Sequence, residues 1–281
     1  MTSSKSAALF RTANLQIMDY PFEAALTSAL SICDEAVVVV GQSLDNTLDL
    51  VYCLQEKHGA ERVTVIETVF KYDRMWQERW WNMASSATDA EWLMYHDADE
   101  AVHEDDAPKV RQLLDNPAVG LIRFPFIHFY ASEDYTISFP LTHNTRLGRR
   151  SLGYRMINMC SDQAPGHAAC AMMMTCEGTD YNAHAYPGPE LVDVDAPIYH
   201  YGWARNPFAL ALSQAKYRAW YADGDGLEDG RLPEVDPWPV ADELPIFLES
   251  GRVQRFDGSH PAAMASWFEE HSFQRESFAR V

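Results

Sequence analysis

The chain has 281 residues, of which 41 are acidic and 22 basic, giving a formal net charge of −19. A field of that sign repels polyanions and disfavours long nucleic acid as a partner. The hydrophobic fraction of 47%, with 12% aromatics, excludes disorder as the default and supports a packed core.

Residues Ala7 to Phe10 read as a short strand, and residues 20–31 place apolar groups at helical spacing with Pro21 in the first turn. Ala36 to Val40 is a β-branched run bounded by Gly41, the pattern of an interior parallel strand. Thr47 to Lys57 is amphipathic and helical, Val63 to Ile66 a strand, Arg74 to Ala87 a Trp- and Met-rich helix, and Trp92 to Tyr95 a strand. This alternation predicts an α/β fold with a mostly parallel sheet between helices. Ligands of such sheets sit beyond the carboxyl ends of the strands, where Gly41–Ser43 and Asp97–Asp99 fall.

A helix over 104–116 follows, then aromatic strands over Leu121–Tyr130 and Tyr135–Phe139. Residues 141–190 are loop-rich, 207–222 helical, and 242–281 hold two short helices. The expected organisation is a catalytic domain over 1–206 with a helical extension over 207–281 packed on it. No apolar run suits a signal peptide or a membrane span, so the expected location is cytoplasmic. Five cysteines with no C-x-x-C pair suit buried or free thiols better than disulfides or a zinc site around Cys160, His167, Cys170 and Cys176.

The sharpest local feature is WLMYHDADEAVHEDD, where an apolar strand ends in Asp97-Ala98-Asp99-Glu100. Two carboxylates two apart at a strand end can share a hard cation, which in turn neutralises charge on a leaving diphosphate. The competing reading is an acidic loop capping the next helix. In APIYHYGWARNP, His200 is a candidate third metal ligand, and Gly202 lets backbone approach closely. Arg205 has the fork geometry for a phosphate, although a core histidine among Tyr199, Tyr201 and Trp203 is the plainer reading of the segment. Arg146, Arg149, Arg150 and Arg155 form a candidate local phosphate patch, and Trp76, Trp80 and Trp81 read mainly as core.

Taken in order, LFRTANLQIMDYPFEAALTSAL, DEAVVVVGQSLDNT, YHDADEAVHEDD, IRFPFIHFYASEDY, IYHYGWARNP and RFDGSHPAAM resemble the family 2 glycosyltransferases of the GT-A fold. Within that family they are similar to a bacterial and phage-type subgroup with DADE and HYGW motifs. The resemblance implies a Rossmann-like GT-A fold and transfer of a sugar from a UDP- or GDP-sugar to an acceptor hydroxyl, with Mn²⁺ or Mg²⁺ as cofactor. It places Asp97 and Asp99 in the D-x-D metal motif and His200 as a further ligand. Phe10, Arg11, Gln42, Ser43, Asp45, Glu67, Arg74, Asn82, Asp97 and Arg205 become the donor-side candidates. Many relatives have an Asp where this chain reads Gly41-Gln42, and FKYDRMWQERWWN replaces the usual Arg-Gly-Gly text.

An inverting course needs a base for the acceptor hydroxyl, with Asp134 the first choice and Glu133 and Asp162 behind it. The acceptor is left open among glycan, protein and small molecule. A modified base in phage DNA is a variant that the net charge opposes. A nucleotidyltransferase would also pair carboxylates with Mg²⁺, but LFRTANLQ is not a Gly-rich triphosphate loop. A non-catalytic binding protein of the same fold is the remaining alternative.

Overall fold

The structure, a computed structural model, describes residues 5–69, 76–139, 142–153, 155–157, 173–175, 190–223 and 233–271. The first third alternates as the sequence predicts: β1 (Ser6–Thr12), α1 (Phe22–Ile32), β2 (Glu35–Gly41), α2 (Thr47–His58), β3 (Val63–Thr68), α3 (Trp76–Ser86) and β4 (Trp92–Tyr95). Then come β5 (Glu100–Val102), α4 (Ala107–Leu114), β6 (Val119–Tyr130), β7 (Ser132–Ile137), β8 (His143–Arg149), β9 (Arg155–Ile157), β10 (Met173–Thr175), β11 (Glu190–Asp193) and β12 (Ile198–Trp203). The chain continues through α5 (Pro207–Asp223), α6 (Val240–Glu249), β13 (Val253–Arg255) and α7 (Ala265–Glu270).

The main sheet is mixed and has the order β13-β7-β6-β8-β4-β1-β2-β3, with β11 and β12 also pairing to β6. It is parallel from β3 to β4 and along β6–β11 and β6–β12, and antiparallel where β8 joins β4 to β6. Burial explains the all-apolar text of β1 and β2. Ala8, Phe10, Val38 and Val40 pack with Phe22, Leu26, Val51 and Val110 of α1, α2 and α4. The alternate residues Ala7, Leu9, Val37 and Val39 pack with Trp80, Trp81 and Ala84 of α3. Strands covered on both faces lose the polar half of the alternation. Each fully buried Val, Leu or Phe among them contributes roughly 1.5–3 kcal/mol over leaving it in water.

Two differences from the sequence reading concern the middle and the end. The loop-rich stretch after residue 141 contains β8, which bridges the parallel and antiparallel halves. The extension after residue 207 is not purely helical, because β13 pairs antiparallel with β7. No helix among the described residues is long and apolar enough to cross a membrane.

Candidate active site

The strand order reverses at β1, which has β2 and β3 on one side and β4 on the other. The carboxyl ends of strands that diverge in this way open a crevice. Here it is a cleft of about 120 Å³ lined by Arg11 and Thr12 from β1, Asp97 to Asp99 after β4, His200 from β12 and Lys216 from α5. Leu15, Tyr20 and Trp80 complete its apolar walls.

The turn after β4 is locked by Glu100. Its Oε2 accepts from the Asp97 N–H at 3.1 Å, and the Glu100 N–H donates to the Asp97 carbonyl at 3.2 Å. β5 then pairs antiparallel with β12, setting His200 opposite Glu100, and the Tyr201 N–H donates to the Asp99 carbonyl at 2.8 Å. That pairing brings the DADE turn and the HYGW strand together across a long separation in the chain. His200 Nε2 lies 3.8 Å from Asp99 Oδ2. Gly202 makes room for both, since a Cβ there would stand 2.5 Å from His200 Cε1 and Nε2 and 3.0 Å from Asp99 Oδ2.

The two aspartates differ in what they touch. Asp97 Oδ1 accepts from Arg11 Nη2 and its Oδ2 from Arg146 Nη2, both at 3.1 Å. Arg146 also pairs with Glu100, so a buried cation ties the turn from β8. Burial works to raise Asp97, but Arg11 and Arg146 outweigh it and hold the carboxyl below its usual range. Among the described residues Asp99 has no arginine partner, and burial, aided by the charge of Asp97 and opposed by Arg205, raises it. Burial pushes His200 down to about 3, so its imidazole is neutral at pH 7, the form that ligates metals. Burial, with Arg11 and Arg205 nearby, pushes Lys216 down to about 7.

These residues fit a divalent cation in part. Ligands about 2.1 Å from one ion stand about 3.0 Å apart at a right angle and about 4.2 Å apart when opposite. The 3.8 Å between Asp99 and His200 falls within that range, and the Gly202 gap keeps the space beside both open. Among the described residues no cluster of three or more His, Cys, Asp or Glu side chains forms a cage. A pair of protein ligands suits a hard cation that keeps waters and takes phosphate oxygens from its substrate. Asp97, with each oxygen accepting from an arginine, stands beside that pair rather than completing it.

The other sequence candidates divide sharply. Arg11 lines the cleft, with its guanidinium 5.4 Å from the Trp81 ring. Phe10 does not, being fully buried edge-on to Phe22 and His96. Ser43 accepts from the Asn14 N–H and donates to the Gly41 carbonyl, while Asp45 Oδ2 accepts from the Gln16 and Ile17 N–H groups at 2.9 Å each. Both tie the loop after β2 to the loop after β1. Gln42 is exposed, and Glu67 is exposed and accepts from the Tyr52 hydroxyl. Asn82 sits on α3 outside the cleft lining. Arg205 is buried, donating to the Gly202 and Met18 carbonyls at 2.8 and 2.6 Å and lying over Tyr20, so it staples β12 to the cleft wall. Glu133 is buried and Asp134 exposed on β7, and neither lines the cleft. Arg74 and Asp162 lie outside the described residues.

The candidate basic patch is dispersed as well. Arg149 caps the Val119 and Asn116 carbonyls over Trp92, and Arg150 binds the carbonyls of Ser85, Thr88 and Ala90. Sequence reasoning missed Lys216, and it missed Glu100 and Arg146 as the locks of the turn. The Glu100 of DADE was its one legible signal. Of the clustered tryptophans, Trp81 is core against Tyr95, and Trp80 lines the cleft.

No family model matches the chain, and no curated protein matches it. Among solved structures it is similar to TarS of S. aureus, at 18% identity and TM-score 0.38 over 53% of this chain and 29% of that one. It is also similar to the mannosyltransferase PcManGT of Pyrobaculum calidifontis, solved with GDP-Man and Mn²⁺, at 23% identity and TM-score 0.36 over 46% and 37% of the two chains. A third is glucosyl-3-phosphoglycerate synthase of M. tuberculosis, at 16% identity and TM-score 0.34 over 53% and 58%. The chain spans less than two thirds of the length of each of these structures. Likenesses of this degree bear on neither the site nor the activity, and the α/β description rests on the strands and helices of the chain itself.

Proposed function

We propose that this protein is a metal-dependent glycosyltransferase that moves a sugar from a nucleotide-sugar donor, UDP- or GDP-linked, to an acceptor hydroxyl. The observation that carries the reading is the meeting of Asp99 and neutral His200 at 3.8 Å in a cleft that also presents Arg11 and Lys216. Two hard-cation ligands beside the Arg11 guanidinium and the Lys216 amine, which a bound anion would hold protonated, match the demands of a diphosphate at the strand-order reversal. The ordered motifs from LFRTANLQ to HYGW support the same family.

When bound, Mn²⁺ or Mg²⁺ supplies Lewis-acid stabilisation of the negative charge that grows on the departing nucleoside diphosphate. Asp99 and His200 are the residues that would hold it. Arg11 and Lys216 meet the phosphate oxygens, and the charge of Asp97 keeps Arg11 extended into the cleft. Tyr20 and Trp80 exclude water from the walls, which strengthens each of these interactions.

Calorimetric titration with UDP, GDP, CDP and dTDP, with and without Mn²⁺, tests the reading. One diphosphate is expected to bind only with metal, and the matched sugar nucleotide to be turned over. Metal-independent binding, or preference for a triphosphate, would overturn it.

A further inference from the structure

His200 has a second imidazole at its back. His128 on β6 is 5% exposed, lies outside the cleft lining, and places its Nδ1 3.0 Å from His200 Nδ1. The rings are 5.0 Å apart and nearly perpendicular, at 81°. The contact is set by the backbone, because β6 and β12 run parallel with His128 and His200 paired in register. His128 stacks on Phe126 at 5.4 Å and meets Phe139 and Trp203 at 5.2 and 5.3 Å, so three aromatic neighbours orient its ring towards His200. On the other side of His200 the missing Cβ of Gly202 leaves space beside Cε1 and Nε2, so the ring is backed by His128 and open towards Asp99.

Two facing ring nitrogens at this distance share one proton: one donates and the other accepts. With the proton on His200 Nδ1, its Nε2 keeps a lone pair towards the cleft. With the proton on His128 Nδ1, neutral His200 must carry its own on Nε2, and that atom cannot bind a cation. At 3.8 Å from Asp99 Oδ2, Nε2 is beyond hydrogen-bond reach of that carboxylate, so Asp99 does not hold a proton there.

We infer that His128 is a positioning residue, which accepts the Nδ1 proton of His200 and so fixes that imidazole in the tautomer and orientation a metal ligand needs. The inference rests on the metal reading of Asp99 and His200. Ligating histidines depend on such partners, whose loss weakens metal affinity about 10- to 100-fold. Carboxylates and carbonyls usually fill the role, and a buried neutral histidine offers the same kind of acceptor through Nδ1.

The test uses the full chain, labelled with ¹⁵N-histidine and free of metal, and reads the His200 tautomer by long-range ¹H–¹⁵N correlation. Mn²⁺ titration followed by electron paramagnetic resonance then measures affinity without any turnover. The wild type is expected in the Nδ1–H form. His128→Phe keeps the ring volume and removes the acceptor, and it is expected to release the tautomer and weaken Mn²⁺ binding about 10- to 100-fold. His128→Gln, which restores an acceptor oxygen, is expected to stay within a few-fold of wild type. An Nε2–H tautomer in the wild type overturns the inference even if the Phe variant fails to fold, and so does a folded Phe variant with unchanged tautomer and affinity. An Nδ1–H wild type that does not bind Mn²⁺ leaves the tautomer lock standing and removes the metal reading of the cleft.

Discussion

Asp99 and Asp97 are two residues apart in an acidic turn, yet their surroundings give them different chemistry. Asp97 is neutralised by Arg11 and Arg146, which come from 86 and 49 residues away in the chain. Asp99 faces the cleft with His200 and, among the described residues, has no lysine or arginine at salt-bridge distance. Asp99→Asn is therefore expected to lower metal-dependent transfer by a factor of at least about 100, the range seen when an electrostatic stabiliser of the transition state is lost. Its melting temperature should hold or rise, because a half-buried carboxylate is replaced by a neutral group of the same shape. Steady-state rates and a thermal melt check both, and full activity would take Asp99 out of the site. In the text DADE the two aspartates look alike, since nothing local tells which one an arginine will claim.

The loop ahead of α2 and the C-terminal α7 show how whole elements are tied around the cleft. The Asp45 carboxylate gathers the N–H groups of Gln16, Ile17 and Thr47, docking one loop on the other at the start of α2. Asp45→Ala is expected to cost about 1–2 kcal/mol of stability in a urea titration, as for a lost helix cap, with less than a tenfold change in nucleotide affinity. A larger change in affinity would place Asp45 on the ligand instead. His271 follows α7 and lies 2.6 Å from Asp19, whose other oxygen accepts from the Asn206 N–H. Burial works to lower His271, but the bond to Asp19 outweighs it and raises the imidazole above its ordinary value. A folded-state value above the unfolded one gives stability that is complete below the unfolded pKa and fades as pH rises through the folded one. His271→Gln is expected to cost roughly 1 kcal/mol at pH 5.5 and much less at pH 8.5, measured by denaturant titration at both. Equal losses at the two values would show that the pair does not titrate. The amphipathic pattern of residues 47–57 locates α2, and the text of 242–281 predicts two short helices, whereas the Asp19–His271 latch spans 252 residues and has no local signature.

Across the molecule, the segment after residue 207 is part of the site. α5 delivers Lys216 into a cleft otherwise built from β1, the turn after β4 and β12, while β13 extends the sheet beyond β7. A boundary at 206/207 would cut through the cleft lining. Lys216→Ala is expected to weaken nucleoside diphosphate binding about tenfold, or about 1.4 kcal/mol, with Mn²⁺ present. Calorimetry measures it, and unchanged affinity would assign Lys216 to packing. Arg11 and Lys216 in the lining also make a phosphate-bearing ligand compatible with a chain of net charge −19, because screening confines the overall repulsion mainly to extended polyanions.

The alternation of β-branched runs with amphipathic stretches is enough to predict the parallel half of the sheet, its covering helices and the strand ends that open into the cleft. Those properties are local, written in periods of two and 3.6 residues that each element carries alone. The partners of Asp97, the placement of His128 behind His200, the arrival of Lys216 and the strand status of β8 and β13 are different in kind. Each depends on which distant strands lie side by side and in what register, and that is settled by packing both faces of the sheet at once. Short motifs therefore point to the residues around the cleft, while long-range pairing determines which of them remain open to a ligand.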